Sequence, residues 1–291
     1  MVLKVFIFSD TNWALGRVYR DVMRNLVGDV EYRFSDWQSY TWEEFDSRYR
    51  WSDICLTNLL TYCLLKKEWS HLGLSKTIFI SHGAGEGWEI KDGEWDPQIK
   101  FAITSDSIRH KIPPEIPEVH LMRNGVDDAE FTYTPRSGVI GNLGWCGKEH
   151  VTEKRVEMAN EIGEKSGLPL LKASWLTYEQ VKDWYQTIDM LLIVSGPHME
   201  KETGPLPAFE AIASGVPVIG TRVGNFRHVP GPKFDTVEEA IEIIVDLRSD
   251  PEKVKALALE QYNFVIENYS YKVLAKEWLS VMRSSFQNLS S

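Results

Sequence analysis

The chain is patterned as short apolar runs separated by longer segments with helical spacing. VFIFSD (5–10), VEYRFS (30–35), ICLTN (54–58), TIFISHG (77–83), FAITSD (101–106) and EVHLMRNG (118–125) read as one series of strands. GVIGNLGW (138–145), PLLKAS (169–174), MLLIVS (190–195) and PVIGT (217–221) read as a second. Runs this short and this apolar suit strands buried on both faces, as in a parallel sheet. TNWALGR leads into a helix through about Leu26, and PLPAFEAIAS is an apolar helix with Pro205 inside its start and Gly215 past its end. TYEQVKDWYQTID (177–189) is amphipathic with Thr177 as cap, and Thr152 is placed to cap the helix before it. Helices over about 235–248, 251–268 and 270–286 finish the chain. Strands alternating with helices predict an α/β fold with covered parallel sheets. The Asn124-Gly125 turn and the linker TYTPRSG put a domain boundary near 132–137.

Composition narrows the function. The net charge of −10 is spread over both halves, with no basic domain to follow a nucleic-acid backbone. No run of eighteen apolar residues occurs, and MVLKVFIFSDTNW enters a strand, so a cytoplasmic protein is expected. CLLKKEW (63–69) is a small basic, apolar spot that allows at most peripheral membrane contact. Cys55, Cys63 and Cys146 have no metal-ligand spacing, and three thiols fit a reducing compartment as inert core residues.

Candidate chemistry concentrates in 190–221. There a strand, a polar loop, a helix and a second strand carry Glu202 in the loop and Glu210 within the helix. In parallel α/β sheets ligands sit beyond the carboxyl ends of strands, where a helix start offers free amides to a phosphate. Carboxylates beside such a site accept from sugar hydroxyls. The plainer alternative is a solvated loop acid and a helix-surface charge. Glu210 interrupts the apolar run FEAIA, a costly position for a charge without a role. His82 and Gly83 fall at a strand end, and GAGEGW (83–88) reads as a mobile cleft edge. The first β-loop-α turn has Gly16 but no G-x-G-x-x-G, which argues against a dinucleotide there.

E-T-G-P-L-P-A-F-E followed by A-I-A-S-G-V-P-V-I-G-T resembles the donor-site signature of retaining, GT4-like glycosyltransferases of the GT-B fold. NGVDDAEF (124–131) is similar to the segment that closes the first domain in that family. The resemblance implies two Rossmann-like, doubly wound parallel-sheet domains with a cleft between them. Residues 1–134, rejoined by a C-terminal helix at 271–291, would face the acceptor, and 135–270 would hold a nucleotide sugar. It implies that Glu202 contacts the donor sugar and Glu210 the ribose, at a helix start formed by Gly204 and Leu206. Lys148 with Lys154 or Arg155 would hold the diphosphate, and Ser174 and Trp175 would line the base pocket, Trp175 stacking on the base or lying in the core. His82 would approach the reacting sugar, or else be a structural histidine. Asn12, Trp13 and Gly16 are acceptor-side candidates, with helix packing and a turn as their alternative. No Asp-x-Asp occurs, so neither metal nor cofactor is expected. The acceptor, whether glycan, lipid-linked or protein, is left open. Thr203-Gly204-Pro205 replaces the family's usual Gly-Phe-Gly, and Pro205 removes an amide donor. That departure and the short first domain motivate one alternative, a nucleotide-binding module without transfer; another enzyme of the GT-B fold, a nucleotide-sugar epimerase, is the other.

Overall fold

The structure, a computed structural model, describes residues 2–11, 14–69, 73–83, 99–112, 114, 116, 118–196 and 202–290, with backbone alone at 63, 68, 69 and 288–290. The chain forms two compact units, residues 1–124 with 271–291, and residues 125–270.

The first unit runs β1 (Leu3–Ser9), α1 (Ala14–Arg24), β2 (Val30–Asp36), α2 (Trp42–Trp51), β3 (Ile54–Asn58), α3 (Tyr62–Trp69), β4 (Thr77–Ser81), β5 (Lys100–Ile103) and β6 (Val119–Leu121). The strands form one parallel sheet in the order β2-β1-β3-β4-β5-β6. β3 and β4 are buried along their whole length, which is why their sequences show no alternation. Phe6, Phe8 and Phe45 meet edge to face under one side of the sheet. Gly16 lets α1 close onto the end of β1, since a Cβ there would lie 1.7 Å from the Asp10 carbonyl oxygen.

The second unit runs β7 (Leu143–Cys146), α4 (Val156–Ser166), β8 (Leu170–Ala173), α5 (Tyr178–Tyr185), β9 (Leu191–Ile193), α6 (Leu206–Ala213), β10 (Val218–Gly220), α7 (Val237–Arg248) and α8 (Pro251–Tyr269). Its parallel sheet has the order β10-β9-β7-β8. Thr177 caps α5 in a capping box with Gln180, as expected, and Thr236 does the same for α7 with Glu239. The last helix, α9 (Tyr271–Ser290), belongs to the first unit. Trp278 Nε1 donates to the Arg123 carbonyl at 3.1 Å, and Arg283 pairs with Asp29 at 2.8 Å.

Four details differ from expectation. The strand expected at 138–145 begins only at Leu143, because the Gly141 and Asn142 amides donate to the Asp189 carboxylate at 2.9 and 3.0 Å. Thr152 opens a 3-10 turn instead of capping α4; Arg155, in a left-handed conformation, occupies the cap. The second unit begins at Gly125, not 135. Its early residues are tied inward by Val126 N–H to Tyr269 O at 2.9 Å and by the Glu130–Lys182 pair at 2.8 Å. Finally, Cys146 is half-buried and therefore no core thiol, while Cys55 is fully buried, and burial pushes its thiol up to about 12.

Candidate functional site

Each sheet has one place where the chain reverses the direction in which it adds strands. A parallel α/β sheet offers its ligand crevice there, beyond the carboxyl ends of the two strands that flank the reversal. In the second unit the flanking strands are β7 and β9.

Beyond β7 and β9 the structure gathers charge. The turn after β7 is pinned by Trp145 Nε1 donating to the Lys154 carbonyl at 3.1 Å, and by the Gly196 amide donating to the Glu153 carbonyl at 3.3 Å. Lys154 thus points from a fixed backbone, and its ammonium forms an ion pair with the Glu202 carboxylate. The same Glu202 oxygen accepts from Ser195 Oγ at 3.3 Å. Burial opposes the Lys154 charge, but Glu202, through its charge and its hydrogen bond, outweighs that and holds the ammonium above its ordinary pKa. The Lys154 and Glu202 side chains remain 28% and 15% exposed, so a ligand can reach the pair.

The backbone of Glu202 is as firmly held. The Asn225 amide donates to the Thr203 carbonyl at 2.7 Å. Gly224, with φ of +42°, sits so close that a Cβ would lie 2.2 and 2.4 Å from the Thr203 and Glu202 carbonyl oxygens. Gly204 and Pro205 then lead into α6, whose first residue is Leu206. Glu210 is only 4% exposed and accepts from Tyr185 Oη at 2.9 Å. It is therefore no helix-surface charge. The partners described for the two carboxylates differ, Lys154 and Ser195 for Glu202 against Tyr185 for Glu210.

Around this centre lies an aromatic and basic rim. Trp175 follows β8 and is 74% exposed, which removes the reading of it as a core residue. His150 stacks on it at 5.6 Å between centroids, and Lys148 Nζ lies 5.7 Å from the ring centre. Ser174 Oγ donates to the Gly147 carbonyl at 3.0 Å, tying the β8 loop to the β7 loop. Among the described residues, Arg155 and Trp175 are the non-glycine residues with positive φ, at 45° and 65°. Such conformations cost about 1–3 kcal/mol each and gather at binding sites. Both lie on this edge of the second sheet. Among the described residues no group of three His, Cys, Asp or Glu is placed to hold a metal ion.

The first unit reverses between β1 and β3, and there uncharged side chains gather beside the buried Asp10. Asn58 Nδ2 donates to Ser9 Oγ at 3.1 Å, Tyr19 Oη donates to Asn58 Oδ1 at 2.9 Å, and His82 Nε2 lies 3.3 Å from Tyr19 Oη. All four residues are buried. Burial, opposed by the Asn124 side chain, pushes the His82 imidazole down to about 3, so it is neutral at physiological pH. Gly16 supports this corner through its approach to Asp10. Asn12, Trp13 and the GAGEGW segment after Gly83 lie outside the described residues.

Sequence reasoning missed Ser195, Tyr185, Tyr19, Asn58 and His150. Ser195 and Asn58 each close an apolar strand run, a position that the strand-end rule itself singles out. Nothing in the sequence marks Tyr185 or Tyr19, which look like ordinary aromatic positions on amphipathic helices.

No protein-family model and no curated protein matches the chain. Solved structures do. HepE of Anabaena, in complex with UDP and glucose, superposes with a TM-score of 0.71 at 9% identity, covering 97% of this chain and 100% of that one. The architecture shared with it is GT-B. The catalytic domain of starch synthase IV from Arabidopsis thaliana, bound to ADP and acarbose, matches this GT-B chain with a TM-score of 0.73 at 9% identity over 99% and 100%. AviGT4, a glycosyltransferase involved in avilamycin A biosynthesis, matches at 0.65 and 14% over 98% of both chains. At such identities the likeness is one of GT-B fold.

Proposed function

We propose that this protein is a retaining, GT4-like glycosyltransferase that moves a sugar from a nucleotide sugar to an acceptor hydroxyl without a metal or other cofactor. The observation that carries the reading is the Lys154–Glu202–Ser195 centre beyond β7 and β9, with Glu210 buried nearby on α6. The nucleotide would bind to the second unit. Lys148 and Lys154 would neutralise the departing diphosphate, Arg155 lying beside them, and the α6 start at Gly204 and Leu206 would add its dipole. Ser174 and Trp175 would receive the base, Trp175 through its exposed ring face. Glu210 would take the ribose hydroxyls and Glu202 the sugar hydroxyls, acceptor-only groups meeting donors. Three neighbours support the reading through what they hold or make, since HepE is bound to UDP and glucose, starch synthase IV to ADP, and AviGT4 is described as a glycosyltransferase.

On the first unit the acceptor would approach Asn12, Trp13 and the Gly16 corner. His82 would serve there as a neutral hydrogen-bonding group, since a pKa of about 3 removes the imidazolium at working pH. The acceptor class is open between glycan, lipid-linked and protein hydroxyls. Among the described residues no helix is long and apolar enough to cross a membrane. A cytoplasmic protein with at most peripheral membrane contact is the proposed setting.

The test is incubation with UDP-, GDP- and ADP-sugars, with and without a pool of acceptor glycans and excess EDTA. Nucleotide release and the anomeric proton signals are followed by NMR. Release that depends on one donor, survives EDTA and gives an α product from an α donor supports the reading. Release of an isomerised sugar would indicate the epimerase, and binding without release the binding module.

A further inference from the structure

The ammonium assigned to the diphosphate is already neutralised from within. Lys154 is paired with Glu202, and the carboxylate oxygen that it meets also accepts from Ser195 at 3.3 Å. Both backbones are held by hydrogen bonds and close packing. Lys154 is locked by Trp145 at 3.1 Å and by the left-handed Arg155, and Glu202 by the Gly224 and Asn225 contacts to residues 202 and 203. The two side chains can adjust by rotation about their own bonds.

A diphosphate needs this ammonium and repels this carboxylate. Two anions cannot share one partly buried lysine without loss, because opposite-charge attraction and like-charge repulsion are both strong where water is scarce. We propose that Glu202 is a stand-in anion for Lys154, exchanged for the phosphate of a nucleoside diphosphate when the donor binds. Released from Lys154, the carboxylate rotates about its own side-chain bonds and becomes available to the sugar hydroxyls. Sugar recognition is then coupled to diphosphate binding: until the phosphate docks, Glu202 is occupied. The pair also keeps Lys154 from holding unrelated anions, because each must first displace Glu202. The inference rests on the donor-site reading above and adds a specificity role for Glu202 that precedes sugar contact.

Calorimetric titration of UDP, GDP and ADP into wild type, Glu202→Gln, Glu202→Ala and Glu157→Gln tests the exchange. Glu157 is exposed in the first turn of α4 and has no described contact with Lys154, so it controls for a general change of field. Exchange predicts that both Glu202 variants bind the preferred diphosphate about tenfold more tightly than wild type, whereas Glu157→Gln stays within about twofold. For the nucleotide sugar the Glu202 variants gain less, because the hydroxyl partner is gone. Equal or weaker diphosphate binding by both Glu202 variants, with wild type binding normally, overturns the exchange and leaves the donor site standing. Absence of binding by wild type and all variants overturns the donor-site reading, and the exchange with it.

Discussion

The two units solve the same topological problem with different chemistry. Each parallel sheet reverses its strand order once, between β1 and β3 in the first unit and between β7 and β9 in the second. Beyond the first reversal stand the uncharged, hydrogen-bonded Ser9, Asn58, Tyr19 and His82, with one buried acid, Asp10, beside them. Beyond the second stand Lys154 and Glu202, charged, paired and partly open to solvent. Topology therefore locates a crevice but does not decide what it receives. Side chains such as Asn58 and Tyr19 can orient hydroxyls by hydrogen bonds, whereas a partly exposed lysine suits a charged group. Among the described residues, the two non-glycine residues with positive φ, Arg155 and Trp175, both lie beside the charged site.

The largest expected effect would break the charged side of this contrast. Lys154→Ala should lower turnover by about 10²–10³-fold, the usual scale for removing one stabiliser of developing charge. Steady-state kinetics on the preferred donor would show it, and a loss under about fivefold would move the diphosphate role to Lys148 or Arg155.

Next in size is a test of the first unit's corner. Gly16→Ala drives a methyl into the Asp10 carbonyl, 1.7 Å from the new carbon, and should destabilise by about 3 kcal/mol or more. Urea unfolding that registered less than about 1 kcal/mol would mean that the α1 start yields easily.

Tyr185→Phe should cost about 2 kcal/mol, because the carboxyl group of Glu210, at 4% exposure, would lose a hydroxyl donor. Nucleotide affinity should fall with it if Tyr185 orients Glu210. A stable variant with unchanged affinity would make the contact incidental.

The smallest effect concerns His82. Its folded pKa of about 3 lies below the unfolded value near 6.5, so the unfolded chain binds the extra proton between those limits. Stability associated with the neutral imidazole is full above pH 6.5 and falls as pH drops toward 3. His82→Gln should flatten that loss by up to about 1.4 kcal/mol per pH unit, measured by urea unfolding between pH 5 and pH 6.5. Parallel slopes for wild type and variant would show that His82 titrates as if exposed.

Much of the architecture was legible in the chain itself. ICLTN marks β3 to the residue, and Thr177 announces the start of α5, because buried parallel strands and capped helices write their rules locally. α2 was not located, since its buried positions reduce to Phe45 and Tyr49 among charged neighbours. The start of β7 was misjudged because Asp189, distant in sequence, takes the amides that a longer strand would have used. At the site, Glu202 and Glu210 stood out by type and position, while the resemblance left Lys154 and Arg155 as alternatives. The pairing did not stand out. Whether Lys154 meets Glu202, or Tyr185 meets Glu210, depends on loops brought together by the second sheet, and no local pattern encodes that. The φ values of Arg155 and Trp175 were equally invisible, since neither residue type favours the left-handed region.

The most direct measurement of the central claim, a nucleotide site in the second unit, is a thermal-shift panel with UDP, GDP and ADP on wild type and Glu210→Gln. A diphosphate at about 100 times its dissociation constant adds roughly 2.7 kcal/mol, enough to raise the midpoint by several degrees. One nucleotide should stabilise wild type clearly and Glu210→Gln much less. Unchanged midpoints with all three would contradict the claim.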